Sequence, residues 1–394
     1  MKKHLFTKKN IKYLFISHVS LSSSYGAAQS AKLLISTLSN IDANKVQLIE
    51  IQTIKSFLRN IFRNKKDNNS EVMPLPWINN FDGSLDHKLS IWKKTKLFIQ
   101  NKFSMINARI KLRHIVSDLE LKIIHINSLV LIPVINLLDK RPDVKKICHV
   151  REVCINEKIT RKLIHNVDLF ICIDKKTRDR IKKIYNVPVN KLEIIPNPVN
   201  DAPSVIRTKR KSLDQPLTVG LVGRIFPHKG HEFVINCFSL LPANEFNLII
   251  VGDTDSDVYA SSLVQKTCVL KNIFWIGHVN NFYDTGGYGQ FDVLLRADPD
   301  HRVGRTMYEG LISGNVLITP LGKDEMITDP LLMKFVNNIV TYEPNNTIDL
   351  IEKLKTIKES NFCTNVDDIK LLINSHNDNN RLALKKLIEP SLLN

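Results

Sequence analysis

Acidic side chains are scarce in this chain. Among its 394 residues, 39 Asp and Glu stand against 56 Lys and Arg, and the resulting net charge of +17 demands an acidic partner or surface. No run approaches the roughly 18 uninterrupted apolar residues of a membrane span. The apolar run 13–16 is too short for a signal peptide and reads as a first strand. The six cysteines (Cys148, Cys154, Cys172, Cys237, Cys268, Cys363) show no C-x-x-C spacing, and several lie in apolar runs. That excludes a zinc ribbon or disulfide framework and suits buried thiols in a reducing compartment. The expected location is therefore the cytoplasm. No G-x-x-x-x-G-K-[ST] occurs, and Gly286-Gly287-Tyr288-Gly289 lacks the preceding strand of a dinucleotide fingerprint. Neither a P-loop ATPase nor hydride transfer is supported, and the glycine-rich stretch reads as a flexible loop. Asp253, Asp255 and Asp257 resemble the start of a calcium loop, but Val258 and Val264 occupy its required glycine and glutamate, so a solvated turn is expected. Internal repeats and recognisable nucleic-acid modules are missing, and nucleic acid is not an expected partner.

What remains is a globular composition, 43% hydrophobic, in a chain long enough for two cores. Short β-branched runs at 11–16, 123–126, 146–150 and 169–173 alternate with longer helical stretches, which argues for α/β architecture with parallel sheets. The polar, basic, proline-bearing stretch 201–215 is the expected boundary.

Two stretches carry chemistry. Residues 291–320 read as strand, polar loop, helix start and second strand. In that loop Gly304 lets the backbone come close to a ligand, and the amides of Arg305 and Thr306 open a helix whose N-terminus favours phosphate. Glu309, four residues after Arg305, falls on the same helix face one turn deeper, where its carboxylate could accept both hydroxyls of a ribose. Residues 217–232 repeat the grammar with different side chains: a strand ends at Gly223, then Arg224 and Lys229 precede Gly230 and a helix. Two cations at a strand's carboxyl end suit a diphosphate, the guanidinium binding bidentately and the ammonium adding a point charge. A solvated basic turn is the alternative.

The segments VGRIFPHKG (222–230) and HRVGRTMYEGLISGNVLIT (301–319) resemble the donor-binding half of the retaining family-4 glycosyltransferases of GT-B fold. LIIVGD (248–253) followed by IFWIGHV (273–279) is similar to that family's base-binding turn, which brings in Val279. More loosely, the loop 24–29 with Gly26 resembles its "GGAE" loop, HVRE (149–152) with His149 its "HIRE" segment, and IIPNPVN (194–200) its "VIYNGID". One departure stands out. The family's first glutamate, usually a contact to the donor sugar, is His301 here, with Asp298 and Asp300 close enough in sequence to substitute.

The resemblance implies two Rossmann-like domains facing across a cleft: 1–205 on the acceptor side with a basic helical insertion, 216–375 on the donor side, and a C-terminal helix 376–394 packing back on the first. It implies Arg224, Lys229 and His149 as catalytic residues, and Gly26, Gly223, Val279, His301, Gly304, Arg305, Thr306 and Glu309 as donor-binding. The expected activity is transfer of a sugar from a nucleotide diphosphate, UDP favoured over GDP, to a glycan hydroxyl, plausibly lipid-linked, with no cofactor and no metal. A nucleotide-sugar epimerase or phosphorylase, or a non-catalytic nucleotide-sugar-binding subunit, fits the same scaffold. The positive charge concentrates at 55–66 and 88–113. In the latter Trp92, Ile99, Phe103, Ile106 and Ile110 recur at helical spacing, giving an apolar face beside cationic ones that could lie on anionic lipid.

Overall fold

The structure, a computed structural model, describes residues 12–17, 26–41, 46–52, 70–74, 92, 110, 120–137, 141–151, 161–208, 212–253, 257–299, 303–360 and 366–393. The chain divides into two compact units, Met1–Pro198 with Asp378–Asn394, and Val199–Asn377.

The first unit runs β1 (Tyr13–Ser17), α1 (Gly26–Ile41), β2 (Val46–Gln52), β3 (Ser70–Pro74), β4 (Ile123–Ile126), α2 (Ile132–Leu137), β5 (Lys145–Val150), β6 (Leu169–Cys172), α3 (Lys175–Tyr185) and β7 (Leu192–Ile194). Its seven described strands form one sheet in the order β3-β2-β1-β4-β5-β6-β7, every pairing parallel. A parallel sheet covered on both faces needs strands that are apolar at successive positions. The sequence supplies them. Leu14, Ile16, Ile124, Ile126, Phe170 and Cys172 enter one cluster with Ile132 of α2 and Ile181 of α3. The alternating Tyr13, Phe15, Ile123, Ile147 and Ile171 enter another with Leu34 and Leu38 of α1. Asp174 caps α3 by accepting the Thr177 amide at 2.6 Å, and left-handed Asn186 ends it.

The second unit runs β8 (Leu217–Val222), α4 (His231–Ser239), β9 (Phe246–Val251), α5 (Asp257–Thr267), β10 (Ile273–Gly277), β11 (Val293–Leu295), α6 (Arg305–Ile312), β12 (Val316–Pro320), β13 (Ile339–Tyr342), α7 (Thr347–Glu359) and α8 (Val366–Leu393). Its parallel sheet has the order β10-β9-β8-β11-β12-β13. In both sheets the strand order reverses once, between β1 and β4 and between β8 and β11. Loops at the carboxyl ends diverge at such a point and leave a crevice in which doubly wound folds bind ligands.

The stretch 201–215 is more than a polar connection. Tyr283 donates to the Asp201 carbonyl at 2.8 Å, the Arg207 amide to the Ser313 carbonyl at 2.8 Å, and the Arg207 guanidinium to Asp292 at 2.8 Å. Asp292 is buried and Arg207 partly so, and Asp292 also accepts the Thr218 amide. A basic side chain that looks solvated in the sequence is thus neutralised 85 residues away. The unit boundary falls before this stretch, and the second one falls within α8.

Cys148, Cys172 and Cys237 are buried as expected, whereas Cys268, following α5, is exposed. Cys154 and Cys363 lie outside the described residues. No described helix is long and apolar enough to cross a membrane.

Candidate functional site

Because all strands of the second sheet run the same way, the ends of β8, β9, β10 and β11 emerge on one edge, and the motif residues emerge with them. Gly223, just past β8, has φ 149°, and a Cβ there would meet nothing within 4 Å: the backbone conformation demands glycine and its surroundings are open. Arg224 follows, its guanidinium carbon 4.6 Å from the Phe226 ring centroid, a cation–π contact that limits its swing. Lys229 then places its ammonium 2.7 Å from Asp298 Oδ2, and Arg296 approaches the same oxygen at 3.5 Å. Asp298 is buried and Lys229 one-third exposed, so the carboxylate anchors the cation from below.

This geometry revises two expectations. Asp298 does not take the place of the family's first glutamate, because its carboxylate faces the two cations. At Gly304 the space where a side chain would start is occupied by the tip of Arg296, whose Nη1 lies 2.2 Å from the position of a Cβ, so the close approach seen here is within the protein. Asp300 and His301 lie outside the described residues.

Gly304 caps α6 without a side chain, which leaves the first-turn amides of Arg305 and Thr306 with no intrahelical acceptor. The spacing of four acts as expected: Arg305 Nε donates to Glu309 Oε1 at 2.6 Å. Tyr288 donates to Glu309 Oε2 at 2.7 Å. Burial holds the Glu309 carboxyl above its ordinary value, opposed by Arg305 and by these hydrogen bonds. Arg305 Nη1 is buried without a partner among the described residues. Val279, two residues beyond β10, is half-buried against the cluster containing Tyr288.

Tyr288 corrects the reading of 286–289 as a flexible loop. Gly287 packs so tightly that a Cβ would sit 2.4 Å from the Phe282 ring, and Tyr288 is buried. The expected calcium-loop-like turn is only partly visible: Asp253 is exposed, while 254–256 lie outside the described residues.

In the first unit Gly26 opens α1, and the rest of its motif, residues 24 and 25, lies outside the described residues. His149, on β5, is 1% exposed. Its ring stacks on His125 of β4 at 5.7 Å, on the sheet face that carries Phe15 and Tyr13. Burial, then Arg151 and His125, hold His149 well below its ordinary pKa, so the imidazole is neutral. The group that emerges at the strand end is the next motif residue but one, Arg151. Its Nε donates to Asn127 Oδ1 at 3.0 Å and its Nη1 to Asn197. Asn127 Nδ2 is buried without a partner among the described residues. Asn127 carried no sequence signal beyond its place after a strand; Glu152 lies outside the described residues.

Two doubly wound units, one with cations, helix amides and a buried carboxylate at its switch point, define a two-unit α/β architecture. Residues 86–202 match the model of Glycosyltransferase Family 4, and residues 204–285 match that of Glycosyl transferases group 1. The chain belongs to the family-4 glycosyltransferases of GT-B fold. It is 31% identical over 141 residues to the O-antigen biosynthesis glycosyltransferase WbnH of Escherichia coli, a stretch covering 36% of this chain and 38% of that relative. Among solved structures it is similar to the lipopolysaccharide outer core galactosyltransferase WaaB in its apo form, with a TM-score of 0.66 at 15% identity over 95% of this chain and 100% of that one. It is also similar to Anabaena Alr3699/HepE in complex with UDP, with a TM-score of 0.63 at 13% identity over 97% and 99%. At such identities these two likenesses speak for the fold alone.

Proposed function

We propose that the protein is a retaining glycosyltransferase that moves a sugar from a nucleotide diphosphate donor, UDP-sugar ahead of GDP-sugar, to a hydroxyl of a growing, lipid-linked cell-surface glycan. The observation that carries this reading is the grouping of Lys229, Arg224 and the α6 amides with Glu309 around one switch point. A diphosphate needs fixed positive charge, and a ribose needs a fixed acceptor one helix turn away. The relatives favour the finer choices: WbnH is named for O-antigen biosynthesis, and Alr3699/HepE was solved with UDP.

In the proposed reaction the bond between the sugar's anomeric carbon and the donor phosphate breaks while the acceptor oxygen bonds to the same face. The acceptor proton passes to the departing phosphate oxygen. Charge on that diphosphate grows as the bond lengthens, and a preorganised positive field is the largest contribution the protein makes. Lys229, held by Asp298 at 2.7 Å, contributes a point charge with several donor protons to that field. Side-chain cations supply the charge, and the scheme uses neither metal nor cofactor. His301 stands where the family has a sugar-contacting glutamate, and its imidazole reads the donor sugar. Incubation with UDP-sugars and a lipid-linked acceptor should give a product whose anomeric configuration, read by NMR, matches the donor. Inverted product, or conversion of donor without acceptor, would contradict this function.

We further propose that the enzyme sits peripherally on the inner face of the cytoplasmic membrane, a reading supported by the +17 charge. Of the expected amphipathic helix, Trp92 and Ile110 are described; they are helical, and 86% and 64% exposed, as an apolar face kept for lipid would be. The rest of 88–113, and all of 55–66, lie outside the described residues. Each basic residue near anionic lipid contributes roughly 1 kcal/mol, fading within a Debye length. Liposome sedimentation should therefore rise with anionic lipid and fall with salt, and replacing Lys93, Lys94 and Lys96 by Glu should release the protein while leaving UDP binding intact. Equal partitioning onto neutral and anionic liposomes would contradict the attachment.

A further inference from the structure

We propose that Tyr288 is a positioning residue for the nucleotide site: its hydroxyl fixes the Glu309 carboxylate against Arg305, so that the free lone pairs of that carboxylate face the ligand. The proposal rests on the reading of Glu309 as the ribose acceptor. A carboxylate offers about four acceptor positions. Arg305 Nε takes one on Oε1 at 2.6 Å and Tyr288 one on Oε2 at 2.7 Å, leaving one on each oxygen for a vicinal diol.

The phenol is itself held. Tyr288 is 1% exposed, its ring packs edge-on against Phe282 at 5.2 Å, Tyr283 at 6.2 Å and Phe291 at 6.2 Å, and its carbonyl accepts Asn315 Nδ2 at 3.0 Å. A hydroxyl on so rigid a mount selects one carboxylate rotamer. Glu309 faces Arg305 from its own helix, and Tyr288, Tyr283 and Asp284 from the segment before β11. Burial and Asp284 favour the neutral acid; Arg305 and the Tyr288 hydrogen bond favour the carboxylate. Burial and Glu309 keep the Tyr288 hydroxyl protonated far above neutrality, so it always donates. Deleting that hydroxyl frees the rotamer and makes protonation of Glu309 easier. Nucleotide capture is then lost at a higher pH as the solution is acidified.

The test is calorimetric titration of UDP between about pH 5.5 and 8 into the parent, Tyr288→Phe, Glu309→Gln and the double variant. Tyr288→Phe should weaken UDP about tenfold at neutral pH and move the acid limb of binding up by about one pH unit, the equivalent of that factor. In the Glu309→Gln background the same change should alter affinity by less than about twofold, because its effect runs through the carboxylate. Phenylalanine keeps the ring packing, and the melting temperature checks it; were that lowered, the cycle would still decide, since only an effect through Glu309 cancels in the double variant. Parent-like affinity and pH profile in Tyr288→Phe, or a full tenfold loss in the Gln background, would overturn the proposal while leaving the ribose reading intact. UDP binding indifferent to Glu309→Gln would overturn both.

Discussion

Lys229→Ala is expected to lower kcat by about a hundredfold, and Arg224→Ala by at least about tenfold, with much smaller changes in donor KM. Interactions that strengthen as charge develops reduce turnover more than binding when removed. One lost donor at a developing anion typically costs two to three orders of magnitude. Lys229 stands toward the upper part of that range for a structural reason. Its ammonium pairs with the buried Asp298, so truncation removes a cation and also leaves that carboxylate without its 2.7 Å ion pair beneath the departing diphosphate. Arg224 is held against the Phe226 ring, where its guanidinium faces the same departing charge. Steady-state kinetics on both variants with saturating acceptor separates the two parameters. A change confined to KM would show that these cations hold the ground state and do not act on the leaving group.

Much of the fold is legible in the sequence. The strands β1, β4, β6 and β11 are short apolar runs, and a parallel sheet covered on both faces requires that pattern. The carboxyl-end loops were legible because Arg224, Lys229 and Glu309 are chemically specific types at fixed offsets from those runs. Partners distant in sequence were not. Asp298 meets Lys229 across 69 residues because β8 and β11 are neighbours in the sheet, and Tyr288 meets Glu309 across 21 because α6 folds back along β11. Nor does anything local to Gly304 reveal that the Arg296 side chain lies against it. His149 shows how a correct motif can mislead. Its HVRE context marks a strand end, but alternation along β5 turns its ring to the face shared with His125 and buries it, and Arg151 carries the polar contacts instead. Arg207 was hidden in a basic stretch for the same reason as Lys229: its acid lies far along the chain.

The central claim is that Glu309 and its surroundings bind a nucleoside diphosphate, and calorimetric titration of UDP and GDP into the parent and Glu309→Ala tests it most directly. Losing a charge-assisted pair of hydrogen bonds costs about 2–3 kcal/mol. The carboxylate is already set by Arg305 and Tyr288, so no reorganisation in the parent offsets that loss. The parent should bind at least one of the two nucleotides, UDP more tightly, and Glu309→Ala should bind it between about thirty- and a hundred-and-fiftyfold more weakly. Equal affinity in both proteins, or no binding of either nucleotide by the parent, would contradict the account.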